Sequence, residues 1–424
     1  MTNPVIAVIG TLDTKGAEID FVRARLAKLD AGALVIDSGI LGTPGITADI
    51  PREQVAEAAG TTLPEVQNAG SRGAAVELMQ EGLRVLVRGL YDDGRIQGVL
   101  CLGGAEGGLM GAAAMQALPV GVPKIVVSPS ASGRREFGPF MGSSDILVMH
   151  SVIDILGLNS VARSVFGNAA AAMVGMCRWG AETPASDRPS IGLTMLGQTT
   201  PGAMVIAKRL EEAGYEPIIF HANGVGGPAM DAMARDGVLS GVIDFTLSEV
   251  SNTMFDGVHA TGPDRMRAAV ECGLPLLVVP GSLDFFNQGA LDTVPDEYRK
   301  RPHYKHNPVA TLVRVNEEEM RALGRQIAER ISTATAPTTV MVPTRGLSLI
   351  GVPGGPISDA RADAAVIDGL RESLPAYIPL EVFDTDINSA EFGNAVAERF
   401  LGMLAQSARS RSSSRAYPKS HSGE

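Results

Sequence analysis

Val5-Ile-Ala-Val-Ile-Gly10-Thr-Leu-Asp-Thr-Lys-Gly16 is the stretch that decides the fold. An unbroken apolar run, mostly β-branched, stops at a glycine, and a helical pattern follows within a turn. A run without polar alternation suits a strand buried on both faces, the environment of a parallel sheet. The same unit recurs at Ala33–Ile36, Gly98–Leu102, Lys124–Val127 and Ile146–Met149, with helical stretches at 16–29, 71–93, 106–118 and 160–177. Alternation of this kind is the signature of a doubly wound α/β fold.

A polar segment with two prolines, Ala181–Pro189, reads as a linker. Beyond it the rhythm restarts with strands at Ser190–Met195, Glu216–Phe220, Gly241–Asp244, Leu274–Val279, Thr338–Val342 and Leu380–Phe383. Helices are expected at 202–213, 228–236, 263–272, 316–333, 359–373 and 388–404. The expectation is two Rossmann-like, doubly wound domains, 1–184 and 185–406, with mostly parallel sheets and a ligand cleft between them. From Ser407 the chain turns Ser/Arg-rich, and 407–424 reads as a disordered tail.

Composition narrows the function. The formal charge is −11 and no basic stripe crosses the folded region, so a polyanion would bind against the mean field. Aromatics are 4% of the chain, too few for a platform that stacks single-stranded bases. Nucleic acid is therefore not an expected partner. No apolar run reaches membrane-spanning length and no leader pattern opens the chain, so no membrane partner is expected. Cys101, Cys177 and Cys272 are scattered and lack metal-site spacing, which points to a reducing cytoplasm.

In a parallel sheet the ligand lies beyond the carboxyl ends of the strands. The residues there are rich in Gly, Ser and Thr. Gly10, Thr11, Asp13, Thr14 and Lys15 open the first helix, where backbone N–H groups and the helix dipole favour an anion. Capping of that helix by Asp13 or Thr14 is the competing reading. Gly103, Gly104 and Gly107 flank Glu106 after the third strand, and Ser128 begins Ser128-Pro-Ser-Ala-Ser-Gly133 after the fourth. In the second half, Gly197, Gln198, Thr199 and Thr200 precede Pro201 at a helix start. One strand later come His221, Gly224, Gly226 and Gly227. Phosphates are expected on Gly197–Thr200 and Gly224–Gly227, with the first-half loops facing the rest of the ligand or a second substrate. Tight strand–helix packing explains the same glycines. Glu249 and Asp284 are the candidate Mg²⁺ ligands or general bases, and His306 the candidate acid. No G-x-S-x-G elbow appears, which argues against a serine hydrolase.

Five ordered motifs carry a family likeness: Gly10-Thr-Leu-Asp-Thr-Lys-Gly16, Asp37-Ser-Gly-Ile-Leu-Gly42, His221-Ala-Asn-Gly-Val-Gly-Gly-Pro-Ala-Met230, Pro280-Gly-Ser-Leu-Asp-Phe-Phe-Asn287 and His303-Tyr-Lys-His-Asn-Pro308. Over roughly 4–404 the chain resembles a family of bacterial, fungal and plant proteins that includes the ATP-binding N-terminal domain of the tomato mosaic virus resistance protein. The resemblance implies two Rossmann-like subdomains, ATP binding in at least one member and a homodimer. It also leads one to expect Thr at Asn223, Glu at Asp231, Asp at Gly351 and His at Asp386, and this chain departs at all of them. The leading expectation is a nucleotide-binding protein that takes ATP with Mg²⁺. The alternatives are an enzyme acting on a small phosphorylated or carboxylated compound without ATP, and an interaction protein.

Overall fold

The computed structural model describes residues 3–130, 138–180 and 187–415. Most of the expected linker, the end of the Ser128–Gly133 loop and residues 416–424 lie outside them. The chain forms two compact units, Met1–Pro184 and Ala185–Glu424.

In the first unit β1 (Val5–Gly10), β2 (Gly32–Asp37), β3 (Gly98–Leu102), β4 (Lys124–Ser128) and β5 (Leu147–His150) make one sheet in the order β2-β1-β3-β4-β5. All pairs are parallel, and Val8 lies level with Val35 and Leu100. Alternate residues feed two cores. Ala7, Ile9, Val99, Cys101 and Val126 pack with Met79, Leu83 and Val87 of the helix Arg72–Asp92. Ile6, Val8, Leu100, Ile125 and Val127 pack with Ile19, Val22 and Leu26 of the helix Leu12–Ala27 and with Phe166 and Met173 of Ser160–Trp179. Burial on both faces is why the strands read as continuous apolar runs.

The second unit continues with β6 (Ser190–Met195), β7 (Glu216–His221), β8 (Leu239–Thr246) and β9 (Leu276–Gly281). Then come β10 (Phe285–Gln288), β11 (His303–Asn307), β12 (Ala310–Arg314), β13 (Thr338–Pro343) and β14 (Leu380–Phe383). The main sheet runs β14-β13-β9-β8-β6-β7, all parallel, and β10-β12-β11 form a small antiparallel sheet. Counted among its own strands alone, each main sheet begins 2-1-3-4-5.

Several boundaries moved for tertiary reasons. The first helix starts at Leu12 rather than 16, because the Leu12 N–H donates to Asp37 Oδ1 at the end of β2 (3.0 Å). The helix expected over 263–272 shrinks to Arg267–Glu271. Met266 before it is left-handed (φ 77°), and Arg265 is drawn into the core. The small sheet escaped the sequence reading because β11, His303-Tyr-Lys-His-Asn307, is polar and mostly exposed. The helices Arg52–Ala58 and Leu63–Gln67 were also unforeseen. The expected tail from Ser407 instead prolongs the last helix, Ala390–Arg415. Among the described residues no helix is long and apolar enough to cross a membrane.

Candidate functional site

In the first unit the chain leaves β1 and β3 next to each other but connects to strands on opposite sides, so their loops part at the carboxyl edge. A cleft of about 830 Å³ opens there. Thr11, Asp13, Thr14 and Lys15 form one wall, Gly104–Gly107 the next, and Gln67, Asn68, Ser71 and Arg72 a third. Ile40, Leu41, Val76 and Met110 supply apolar lining.

Three helices begin at this cleft, and two begin without a side-chain cap. Thr11 precedes Leu12–Ala27, but its side chain accepts no first-turn N–H; its hydroxyl lies 2.9 Å from that of Thr14. Gly104 precedes Ala105–Gln116 and has no side chain to offer, and a Cβ there would meet nothing within 4 Å. Only Arg72–Asp92 is capped, by Ser71 Oγ accepting from Ala74 N (3.1 Å). No N-cap side chain takes a first-turn N–H at these two starts, although Asp37 holds that of Leu12 (3.0 Å), and the positive dipole ends make both receptive to an anion. Gly103 shapes the turn below, since a Cβ there would lie 2.3 Å from the backbone of Gly107 and Gly108. Among the described residues Lys15 has no ion-pair partner.

Carboxylates frame the other side. Asp37 is buried and accepts from Leu12 N and Gly39 N (3.0 and 2.8 Å). Burial holds its carboxyl above the usual carboxylate range, although those two N–H groups pull against it. Asp13 has one buried oxygen, Oδ1, without a partner among the described residues. Glu106 and Arg72 pair across the mouth.

The expected phosphate loops of the second unit are arranged differently. Glu249 Oε1 accepts from Gly224 N (2.9 Å) and Gly227 N (3.0 Å), so the protein's own carboxylate fills the N-terminus of the helix Gly226–Arg235. Its other oxygen takes Arg265 Nε (2.6 Å), whose guanidinium also grips Asp244 twice (2.7 and 2.8 Å). Arg265 and Glu249 are fully buried. A Cβ on Gly227 would stand 1.9 Å from Glu249, so this glycine admits the carboxylate rather than a ligand. Gly226 is equally a packing residue, with His221 O in its Cβ position. In the preceding loop, Thr199 Oγ1 bonds Thr246 Oγ1 (2.8 Å) and Thr200 Oγ1 donates to Leu196 O (3.1 Å). The Gln198 carbonyl accepts from Leu349 N and Asn388 Nδ2 (3.1 and 3.0 Å). The hydroxyls expected to meet phosphate thus serve the turn itself.

Asp284 is also engaged. It accepts from Ser348 Oγ (2.7 Å) and lies 3.5 Å from Arg314, which Asp363 shares (2.7 Å). Burial raises both carboxyls, that of Asp363 to about 7. Glu249 and Asp284 are therefore each held in a separate arginine network. Among the described residues no three His, Cys, Asp or Glu side chains gather to hold a metal ion. His306 sits exposed on β11, and His221 is exposed at the end of β7. Its neighbour His259 is pushed down to about 4 by burial and by His221. Ser128 is buried under the first-unit loops, its Oγ accepting from Ser130 N (3.2 Å). Gly10 packs on Ile19. Of the expected positions, Thr11, Asp13, Thr14, Lys15, Gly104 and Gly107 come together in one cleft. The wall of Gln67, Asn68 and Arg72 was missed; its one signal was the Gly70-Ser71 helix start, which follows no strand.

The pattern "Uncharacterised protein family (UPF0261) N-terminal domain" fits residues 4–182, and its C-terminal counterpart fits 188–404. The chain belongs to the UPF0261 family. A UPF0261 protein of Clostridium tetani is 36% identical over 95% of this chain and 99% of its own length. Another, from Rhizobium meliloti, is 38% identical over 93% and 98%. The ToMV resistance protein Tm-1(GCR237) of Solanum lycopersicum is 33% identical over 94% of this chain, which spans 56% of that protein. A solved UDP-GlcNAc 2-epimerase of Methanocaldococcus jannaschii is 10% identical over 65% of this chain and 83% of its own, at a TM-score of 0.20, a likeness too slight to bear on the ligand. At Gly351, where the family resemblance led one to expect aspartate, this UPF0261 chain has no room for a side chain: a Cβ would lie 2.2 Å from Asp284 Oδ2.

Proposed function

We propose that this UPF0261 chain binds a phosphate-bearing small molecule, with a nucleotide as the leading candidate, in the cleft of its first unit. The carrying observation is the convergence on one cavity of two helix starts that lack a side-chain N-cap and of Lys15, which has no ion-pair partner among the described residues. Its volume, about 830 Å³, suits a ligand of nucleotide size. Phosphates would lie over Thr11–Lys15 and Gly104–Gly107, and a base or sugar against Ile40, Leu41, Val76 and Met110. If ATP is the ligand, Asp13 is the carboxylate best placed for its Mg²⁺, since Glu249 and Asp284 are held by arginines.

A thermal melt with and without MgATP tests the reading. At a hundredfold excess over Kd, a ligand bound only by the native state adds about 2.7 kcal/mol, a rise of several degrees for a unit of this size. A rise with MgATP supports nucleotide binding. A rise with sugar phosphates or small organic acids, and none with nucleotides, would replace the nucleotide with a small metabolite. No rise with any of them would overturn the site.

A further inference from the structure

The charged side chains lining the cleft are Asp13, Lys15, Arg72 and Glu106, two of each sign. An anion entering this lining gains little unless one carboxylate gives way. Glu106 is the one free to do so. It stands in the first turn of the uncapped helix Ala105–Gln116, its carboxylate 2.7 Å from Arg72 Nε and 2.5 Å from Nη2 on the facing wall. Both side chains reach into solvent, Arg72 80% and Glu106 44% exposed. An exposed pair of this kind contributes about 0–1 kcal/mol and separates readily. Arg72 opens the helix Arg72–Asp92, whose positive end adds to its own charge. Its planar fork suits two oxygens of a phosphate as well as those of a carboxylate.

We infer that Arg72 is the residue that captures the ligand's anionic group, and that Glu106 is a removable stand-in holding Arg72 at the cleft mouth until the ligand takes its place. The inference rests on the binding reading above. Its chemistry is an exchange of ion pairs, in which Glu106 swings to water as a phosphate oxygen takes its place on the guanidinium. Glu106 therefore opposes binding, where a merely structural partner of Arg72 would favour it.

Titration calorimetry with MgATP and, separately, with inorganic pyrophosphate tests this on wild type, Glu106→Gln, Arg72→Ala and the double variant. The expected result is binding about three- to fivefold tighter in Glu106→Gln, and about tenfold or more weaker in Arg72→Ala. The gain from Glu106→Gln should shrink in the Arg72→Ala background, because it comes from freeing that arginine. Melts without ligand should place the single variants within about 2 °C of wild type, as expected for exposed positions. If wild type binds but Glu106→Gln binds equally or more weakly, the exchange is overturned while the site stands. A gain of the same size with and without Arg72 also overturns it, leaving simple charge repulsion. If neither probe binds wild type or Glu106→Gln, the underlying site reading itself falls.

Discussion

The two units start from the same sheet order and the same glycine-rich turns, yet their helix starts end differently. In the second unit Glu249 reaches from the first turn of the helix Ser248–Met254, just after β8, into the Gly224–Gly227 turn and is sealed there by Arg265. In the first unit the buried Asp37 takes only the first N–H of Leu12–Ala27, the start at Gly104 has no buried carboxylate on it, and Glu106 stands only at the mouth. Helix N-termini want negative charge. The second unit supplies it from its own chain at the Gly224–Gly227 turn, and the first leaves a cleft in front of its two starts, which the proposed function fills with a ligand. A glycine-rich turn after a parallel strand thus marks a place for an anion without saying whose anion it is.

Breaking the sealed side should give the largest effect. Glu249→Ala leaves the buried Arg265 Nε without its carboxylate, with only Asp244 still gripping the guanidinium, and the N–H groups of Gly224 and Gly227 unpaired. Loss of one partner from a buried ion pair costs about 3–5 kcal/mol, so melting of this variant should fall by roughly 10 °C. A fall of less than about 2 °C would show that the carboxylate is not the keystone of this turn.

The second unit should also carry a pH signature. Burial raises the Asp231 carboxyl to about 6 and that of Asp363 to about 7, against an ordinary value of 3.8. A carboxyl whose folded value lies above its unfolded one holds its proton longer in the native state. Stability is then greatest below the unfolded value and falls as pH rises through the folded one, here between about 4 and 7. Unfolding in urea across that window should show the decline, of order 1–3 kcal/mol, and Asp363→Asn should flatten it. An Asp363→Asn profile as steep as wild type would assign the slope elsewhere.

The smallest stability effect is expected in the first unit. Lys15→Ala should leave the ligand-free melt within about 1 °C but reduce MgATP affinity about tenfold, the worth of a charged hydrogen bond. A variant that melts lower and binds as well as wild type would reverse the contrast between the units.

Much of the architecture was legible because strands buried on both faces must be apolar throughout, and Val5–Gly10 or Gly98–Leu102 admit no other reading. The sequence also singled out Thr11, Asp13, Thr14, Lys15, Gly104 and Gly107, which line one cleft, because turns between parallel strands and helices draw on glycine and threonine. Other features were not legible. Glu249 and Asp284 follow closely on the ends of β8 and β9, as catalytic carboxylates often do, and nothing local shows the arginines that hold them. Arg265 reaches Glu249 from a left-handed turn 16 residues on, and Arg314 reaches Asp284 from a strand 30 residues on. Arg72 joins the cleft from a helix that follows no strand.

The amino-acid sequence alone was enough for the alternation of strand and helix and for the places where helices begin after strands, because these follow from local periodicity and chain stiffness. Only the tertiary structure decided which of those places is open. That choice depends on which charged side chain arrives from a distant segment, and Coulomb attraction in a buried site acts across space, with no trace in local pattern.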